Sequence, residues 1–143
     1  MLSKSLILCA AAGCSLIAMV AFAGDKTPVD PKLLPPASTK QGVTYATDIQ
    51  PIFAKSCSPC HSAKTQKPKG KFRADSLEAV LKGGEDGPCV IVGNSAKSDI
   101  VVMVSHQGDA DDYMPPPKNK GNIAPLTPEQ IGLIRAWIDQ GAK

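Results

Sequence analysis

The sequence is poor in aromatic residues, which make up 4% of its 143 residues as one Trp, two Tyr and three Phe. Because aromatic side chains bury large surfaces, a core built from this protein alone would be modest. A strong charge excess is also missing, since 16 Lys and Arg stand against 13 Asp and Glu. Nucleic-acid-binding domains are typically strongly basic, so the composition argues against that class.

Regular strand patterns are missing as well, because no segment alternates apolar and polar residues and no internal repeat is visible. The chain instead has short apolar segments with helical spacing. Loops rich in its 13 Pro and 12 Gly separate these segments. We therefore predict a small, all-α, loop-rich fold.

Residues 1–23 have the layout of a secretory signal peptide. Lys4 precedes an uncharged apolar run over residues 6–22, and the sequence AFA at 21–23 suits a signal peptidase. We therefore expect an exported, periplasmic protein without an integral membrane span after cleavage. An uncleaved anchor and a lipoprotein cleavage site at Cys14 are the alternatives.

Cleavage would leave 120 residues, enough for one domain, and three of the five cysteines. Residues 24–43 contain four prolines among polar residues and no hydrophobic periodicity. We predict a flexible Pro-rich arm there, followed by one folded domain over residues 44–143.

Two short helices are predicted in the first half of this domain. Asp48 is expected to cap the first helix, which runs into Cys57. Asp75 and Glu78 form a capping-box pattern before the second helix, over residues 77–82.

Two more helices are predicted in the second half. A helix starting at Asn94 or Ser95 would include residues 100–104, although their β-branched side chains leave a strand as the alternative. The last helix has the clearest signals, with Thr127 as the cap and Gln130 completing a capping box. Its expected buried stripe consists of Ile131, Ile134, Trp137 and Ile138.

The sequence CSPCH at residues 57–61 carries the main chemical signal. Cys57 and Cys60 have the spacing that lets each cysteine form a thioether bond with one haem vinyl group. His61 then lies under the iron as its proximal ligand. A covalent haem would also supply apolar surface that the small core lacks.

Three other interpretations of the cysteine pair remain open. A redox dithiol normally accompanies a βαβ pattern, which this sequence does not have. A zinc site would need further ligands, and no second C-x-x-C or H-x-x-x-H pattern follows. A structural disulfide is compatible with an exported protein.

A sixth iron ligand could come from Met103, His106 or Met114. Met114 precedes three prolines, which favour an extended backbone that can hold its thioether rigidly. Met103 fits a gap-filling core role, because it lies within an apolar run. His106 is the main rival of Met114, and an open iron site is the remaining alternative.

Five motifs follow one another in order: CSPCH at 57–61, SLEAVLKGG at 76–84, MPP at 114–116, LTPEQI at 126–131 and WIDQGA at 137–142. Together they resemble the small planctomycete-type cytochrome c domains, a branch of the class I cytochrome c fold. The resemblance covers about residues 45–142. It implies a helical fold around one covalent haem c, with His61 proximal and Met114 distal.

Cys89 departs from that family pattern. We expect it to be a buried thiol, with a disulfide-linked dimer as the alternative to a monomer. The lysines after the haem motif could steer acidic redox partners or simply be solvated. They are Lys64, Lys67, Lys69 and Lys71. The acidic residues Asp109, Asp111 and Asp112 are expected to face solvent.

These features predict an exported monohaem c-type cytochrome that transfers single electrons between redox partner proteins. An electron carrier of this kind is not an enzyme. The alternative is a haem enzyme or gas sensor with an open or weakly ligated iron, for which His106 would be the acid–base group.

Overall fold

The computed structural model describes residues 29–143, so the predicted signal peptide and the start of the predicted arm lie outside the described residues. Four α-helices are present: α1, Gln50–Ser56; α2, Leu77–Lys82; α3, Asp99–Val104; and α4, Pro128–Asp139. A π-helical turn at Tyr45–Ile49 leads into α1. Short 3₁₀ turns occur at Pro31–Leu33, Lys69–Lys71, Ser95–Lys97 and Ala110–Asp112. The described part contains no β-strand, which confirms the prediction of a helical fold there.

The first two helices begin at caps other than those predicted. Thr44, not Asp48, caps the helical segment, and Asp48 lies inside it and accepts the Thr44 N–H at 3.0 Å. Ser76, not Asp75, caps α2. The Asp75 carboxylate instead accepts the Ala63 N–H at 2.8 Å, so it stabilises an earlier turn.

Residues 100–104 lie in α3, so the strand alternative for this run is wrong. Asn94 caps the preceding 3₁₀ turn, whereas α3 itself begins at Asp99 after Ser98, later than either predicted start. Ile100, Val101 and Val104 are buried. Burial of one helical face outweighs the β-propensity of their branched side chains.

Helix α4 has both bonds of its predicted capping box. The Thr127 hydroxyl accepts the Gln130 N–H, and the Gln130 side chain accepts the Thr127 N–H. The four residues of the predicted apolar stripe are all buried. Gly141 follows the helix with φ of 102°, a conformation that glycine adopts without strain.

Three aromatic residues form the centre of the core. The ring centroids of Tyr45 and Trp137 lie 5.9 Å apart, and Phe53 packs edge-on against both rings. The Trp137 Nε1–H donates to the Lys143 carbonyl at 3.0 Å. Helix α4 is therefore packed against the segment that leads into α1.

Residues 29–43, which the sequence predicts to belong to a flexible arm, lie against α4. Leu34 is buried, and the Ser38 N–H donates to the Gly132 carbonyl at 2.9 Å. A Cβ at Gly132 would lie 2.8 Å from the Pro36 carbonyl oxygen, so only glycine allows this close approach. Within residues 29–143 no helix has both the length and the apolar character needed to cross a membrane.

Candidate functional site

The sequence CSPCH at 57–61 forms a tight turn at the end of α1. The Cys60 and His61 N–H groups both donate to the Cys57 carbonyl, at 3.1 and 2.9 Å. The Cys57 N–H in turn donates to the Phe53 carbonyl at 2.8 Å. Hydrogen bonds of this i to i+3 and i to i+4 kind place residues three and four positions apart on one face. The two thiols and the imidazole therefore share one side of the turn.

The His61 ring has a defined hydrogen-bond partner. Its Nδ1 lies 3.2 Å from the Phe72 carbonyl oxygen. Because a carbonyl only accepts, Nδ1 must carry the proton, which leaves Nε2 with a lone pair in the neutral ring. Burial lowers the pKa of His61 and favours this neutral form. A histidine oriented in this way is suited to bind a metal through Nε2.

Cys57 is not an activated thiol. Burial, together with the nearby Cys60 and Cys89 thiols, raises the pKa of the Cys57 thiol to about 12. The cysteines of thiol redox enzymes show the opposite shift, because they need a thiolate near neutral pH. Cys57 and Cys60 are also not joined by a disulfide.

These side chains line a cavity of about 310 Å³. His61, Cys57 and Cys60 lie in its wall together with Met114, which is more than fifty residues away in sequence. The remaining wall is largely apolar and includes Phe72, Ile100, Val104 and Leu126. The structure thus brings all four predicted site residues to one cavity.

Met114 belongs to residues 113–117, here called the Met-Pro loop. The Met114 N–H donates to the Met103 carbonyl at 3.0 Å, and Pro115 is buried. The His106 Nε2 lies 3.1 Å from the Pro115 carbonyl oxygen. His106 is not among the cavity-lining residues. Of the two main candidates for the sixth ligand, Met114 therefore lies at the cavity and His106 does not.

The residues of the cavity suit a covalent c-type haem. Two thiols and an imidazole with an available nitrogen lie on one turn, a thioether comes from the Met-Pro loop, and the wall between them is apolar. These are the side chains that a covalently attached haem requires. The cavity volume lies at the lower end of the range for cofactor sites.

Residues 57–118 match the family model described as Planctomycete cytochrome C. This match supports a planctomycete-type cytochrome c domain that includes these residues. Such a domain carries covalently bound haem c and transfers electrons. The match begins at Cys57 and includes the Met-Pro loop, but it ends before α4. No curated protein matches the chain.

The sequence analysis favoured other roles for two residues that line the cavity. Met103 is half-buried and lines the cavity instead of filling the core. Its spacing from Ile100 and Val104 could have indicated this, because residues at i, i+3 and i+4 share a helix face. Cys89 is half-buried and lines the cavity as well, near Cys57. A single cysteine in a loop offers no periodic signal of this kind.

Charged side chains of both signs surround the cavity of the cytochrome c domain. All four lysines that follow the haem motif are exposed, but only Lys69 lines the cavity. Lys71 forms an ion pair with Glu85 at 3.4 Å. Asp111 and Asp112 are exposed, as expected, and also line the cavity. The rim is therefore not the uniformly basic surface that the lysine run suggested.

Proposed function

We propose that this protein is an exported monohaem c-type cytochrome that carries one electron at a time between redox partner proteins. Cys57 and Cys60 form the two thioether bonds, His61 is the proximal ligand and Met114 is the distal ligand. The protein acts as a periplasmic electron carrier and not as an enzyme.

The observation that carries the proposal is the hydrogen bond between the His61 Nδ1–H and the Phe72 carbonyl. It leaves Nε2 available in the wall of the cavity that also contains Cys57, Cys60 and Met114. A bond from the second ring nitrogen orients a ligating histidine and raises its basicity. Neither a redox dithiol nor a structural disulfide requires such a histidine.

The bound haem iron would supply the one-electron chemistry. The chain's own residues would hold it and limit its contact with water. The apolar wall, including Phe72 and Leu126, lowers the local polarity around the site. The His61 ring and the Met114 backbone are each held by a hydrogen bond, so both residues would stay in place beside a bound haem during electron transfer.

The location of Met114 supports it as the distal ligand over His106. Met114 lines the cavity, whereas the His106 Nε2–H donates a hydrogen bond to the Pro115 carbonyl. A nitrogen that carries a proton has no lone pair for iron. Methionine is a soft ligand that raises the reduction potential, which suits an electron carrier.

A haem enzyme or gas sensor would need an open iron position and an acid–base group beside it. His106 was the candidate for that group, but it does not line the cavity and its ring is engaged with the Met-Pro loop. No side-chain arrangement in the described residues favours this alternative.

Cys89 is half-buried and lines the cavity near Cys57, which supports the interpretation of this residue as a thiol within the fold of a monomer. An intermolecular disulfide would need its sulfur at the surface. Export rests on the signal peptide predicted for residues 1–23, which lie outside the described residues.

Visible absorption of the exported, haem-matured protein tests the proposal, with spectra recorded in the oxidised and then the reduced form. We expect sharp ferrous bands of low-spin c-type haem and a weak sulfur-to-iron band in the ferric form. A high-spin spectrum that shifts with carbon monoxide would instead support an enzyme or sensor.

Labelling of thiols after denaturation provides the control for covalent attachment. Thioether-bound cysteines do not react, so only Cys89 should be labelled in the mature chain. Labelling of all three cysteines, with no haem absorption, would contradict the central proposal.

A further inference from the structure

We propose that His106 is a positioning residue, which holds the Met-Pro loop so that Met114 stays at the haem cavity. This inference rests on the function proposed above, because it assigns His106 a role towards the distal ligand. It replaces the alternative in which His106 itself binds the iron.

The first observation is a hydrogen bond from the side chain of His106 to the backbone of the Met-Pro loop. The Nε2–H of the ring donates to the Pro115 carbonyl, with 3.1 Å between nitrogen and oxygen. Pro115 directly follows Met114 and is buried. The bond is partly buried, and without His106 the Pro115 carbonyl would lose this donor at a cost in free energy. This bond therefore opposes movement of the loop away from α3.

The second observation is the ring contact between His106 and Tyr113. Their planes are nearly parallel, at 3°, and the ring centroids lie 4.8 Å apart. Tyr113 directly precedes Met114 in the sequence. His106 thus contacts the residue before Met114 by stacking and the residue after it by hydrogen bonding.

Other residues hold the same loop by backbone contacts. The Met114 N–H donates to the Met103 carbonyl at 3.0 Å, and Asn119 Nδ2 donates to the Pro116 carbonyl at 2.9 Å. Within this set, the His106 side chain alone contacts both neighbours of Met114. It also sits just after α3, with its own N–H donating to the Met103 carbonyl at 3.2 Å. Helix α3 and the loop are thereby tied together through one side chain.

Without His106, Met114 would still reach the cavity, but the loop would open more often. An external ligand binds the iron only when the methionine has left it. Its apparent affinity therefore rises in proportion to the fraction of open loop. Imidazole titrated into the ferric haem-loaded protein measures that fraction directly.

Two variants separate the contacts of His106. His106→Phe keeps an aromatic ring for the Tyr113 stack but removes the N–H donor. His106→Gln keeps an N–H donor but removes the ring. Lys120→Gln, at an exposed position shortly after the loop, is the neutral control.

We expect His106→Phe to bind imidazole about tenfold more tightly than the parent protein, because one partly buried hydrogen bond to the Met-Pro loop is lost. His106→Gln should fall between the parent and His106→Phe, and Lys120→Gln should match the parent. The ferric sulfur-to-iron band should remain in all of them and weaken at lower imidazole concentration in His106→Phe. Far-UV circular dichroism during heating separates loop opening from loss of overall stability.

Several results would overturn the inference. If the parent shows the sulfur-to-iron band and both His106 variants bind imidazole as it does, His106 does not position the loop, while the proposed function stands. If the parent lacks that band, Met114 ligation and the positioning role fail together. If the His106 variants lose the low-spin spectrum and Met114→Ala keeps it, His106 is itself the ligand.

Discussion

The two histidines of this chain form the same kind of bond with opposite consequences. His61 donates Nδ1–H to the Phe72 carbonyl, while His106 donates Nε2–H to the Pro115 carbonyl. Each ring also contacts one aromatic neighbour, Phe72 edge-on in the first case and Tyr113 stacked in the second. Only His61 lines the cavity.

The difference shows that a backbone carbonyl selects which nitrogen of a neutral imidazole keeps its lone pair. At His61 the selected nitrogen is Nε2, the one that a haem iron can bind. At His106 the Nε2 atom instead carries the proton and donates this N–H to the Pro115 carbonyl of the Met-Pro loop. One histidine is thus suited to ligation and the other to holding a loop. The following predictions test that contrast.

The largest effect is expected from removal of His61, the proposed proximal ligand. His61→Ala should abolish the low-spin spectrum of the haem-loaded protein, because no other histidine lines the cavity in the described residues. His106→Ala should keep it. Absorption spectra of the two variants measure this difference. An equal loss of the low-spin spectrum in both variants would contradict the different roles of the two histidines.

Replacement of the distal ligand should have the next largest effect. Met114→Ala should lose the sulfur-to-iron band and bind carbon monoxide in the ferrous form. Its reduction potential should fall, within the range of about 0.8 V over which axial ligands act. Potentiometric titration measures the change. Met103→Leu, at the other cavity methionine, is the matched control and should keep the band.

Gly84 tests the packing on the His61 side of the cavity. A Cβ there would lie 2.4 Å from the Gly70 carbonyl oxygen, so Gly84→Ala must shift backbone and should destabilise the protein by about 1–3 kcal/mol. Gly121→Ala, on the other side, would meet the Ile123 side chain at 3.2 Å and the Asn119 side chain at an ordinary contact distance of 3.7 Å, and no backbone atom is among these neighbours. It should stay within about 0.5 kcal/mol of the parent in denaturant unfolding. Equal losses would show that the two sides tolerate added volume alike.

Asn119 tests the loop on the His106 side. Its side chain donates to the Pro116 and Ile123 carbonyls and accepts the Ile123 N–H. Asn119→Ala should lower the free energy of unfolding by about 1–2 kcal/mol. It should also increase imidazole binding, because Pro116 lies in the Met-Pro loop. Unchanged imidazole binding would mean that the bonds of Asn119 do not restrain Met114.

The smallest effect concerns acid stability beside His61. The Arg73 side chain, and then the Ala63 N–H, lower the pKa of Asp75. The resulting stabilisation is present at neutral pH and is lost as the pH falls below about 4, where the carboxylate is protonated. Asp75→Asn should therefore unfold more easily than the parent at pH 7, and its stability should decrease less as the pH is lowered. Asp86→Asn, with the same charge change at an exposed position, should keep the parent's acid profile in thermal melts.

Local signals in the sequence predicted part of this molecule well. The Thr127–Gln130 capping box and the buried stripe of α4 are present as predicted, because both depend on residues within a few positions of each other. The caps of the first two helices were wrong, because Asp48 and Asp75 each had a competing backbone donor. The spacing of Cys57, Cys60 and His61 similarly indicates one turn with three side chains on one face.

Neighbouring residues along the chain thus encode the helical segments and the turn at residues 57–61 that carries two cysteines and a histidine. Contacts between distant segments fix which nitrogen of each histidine carries the proton, because the accepting carbonyls lie 11 and 9 residues away. Contacts of the same kind place Cys89 at the cavity with Met114 and pack residues 29–43 on α4. Such contacts depend on how separate segments fold against one another, and no local periodicity encodes them.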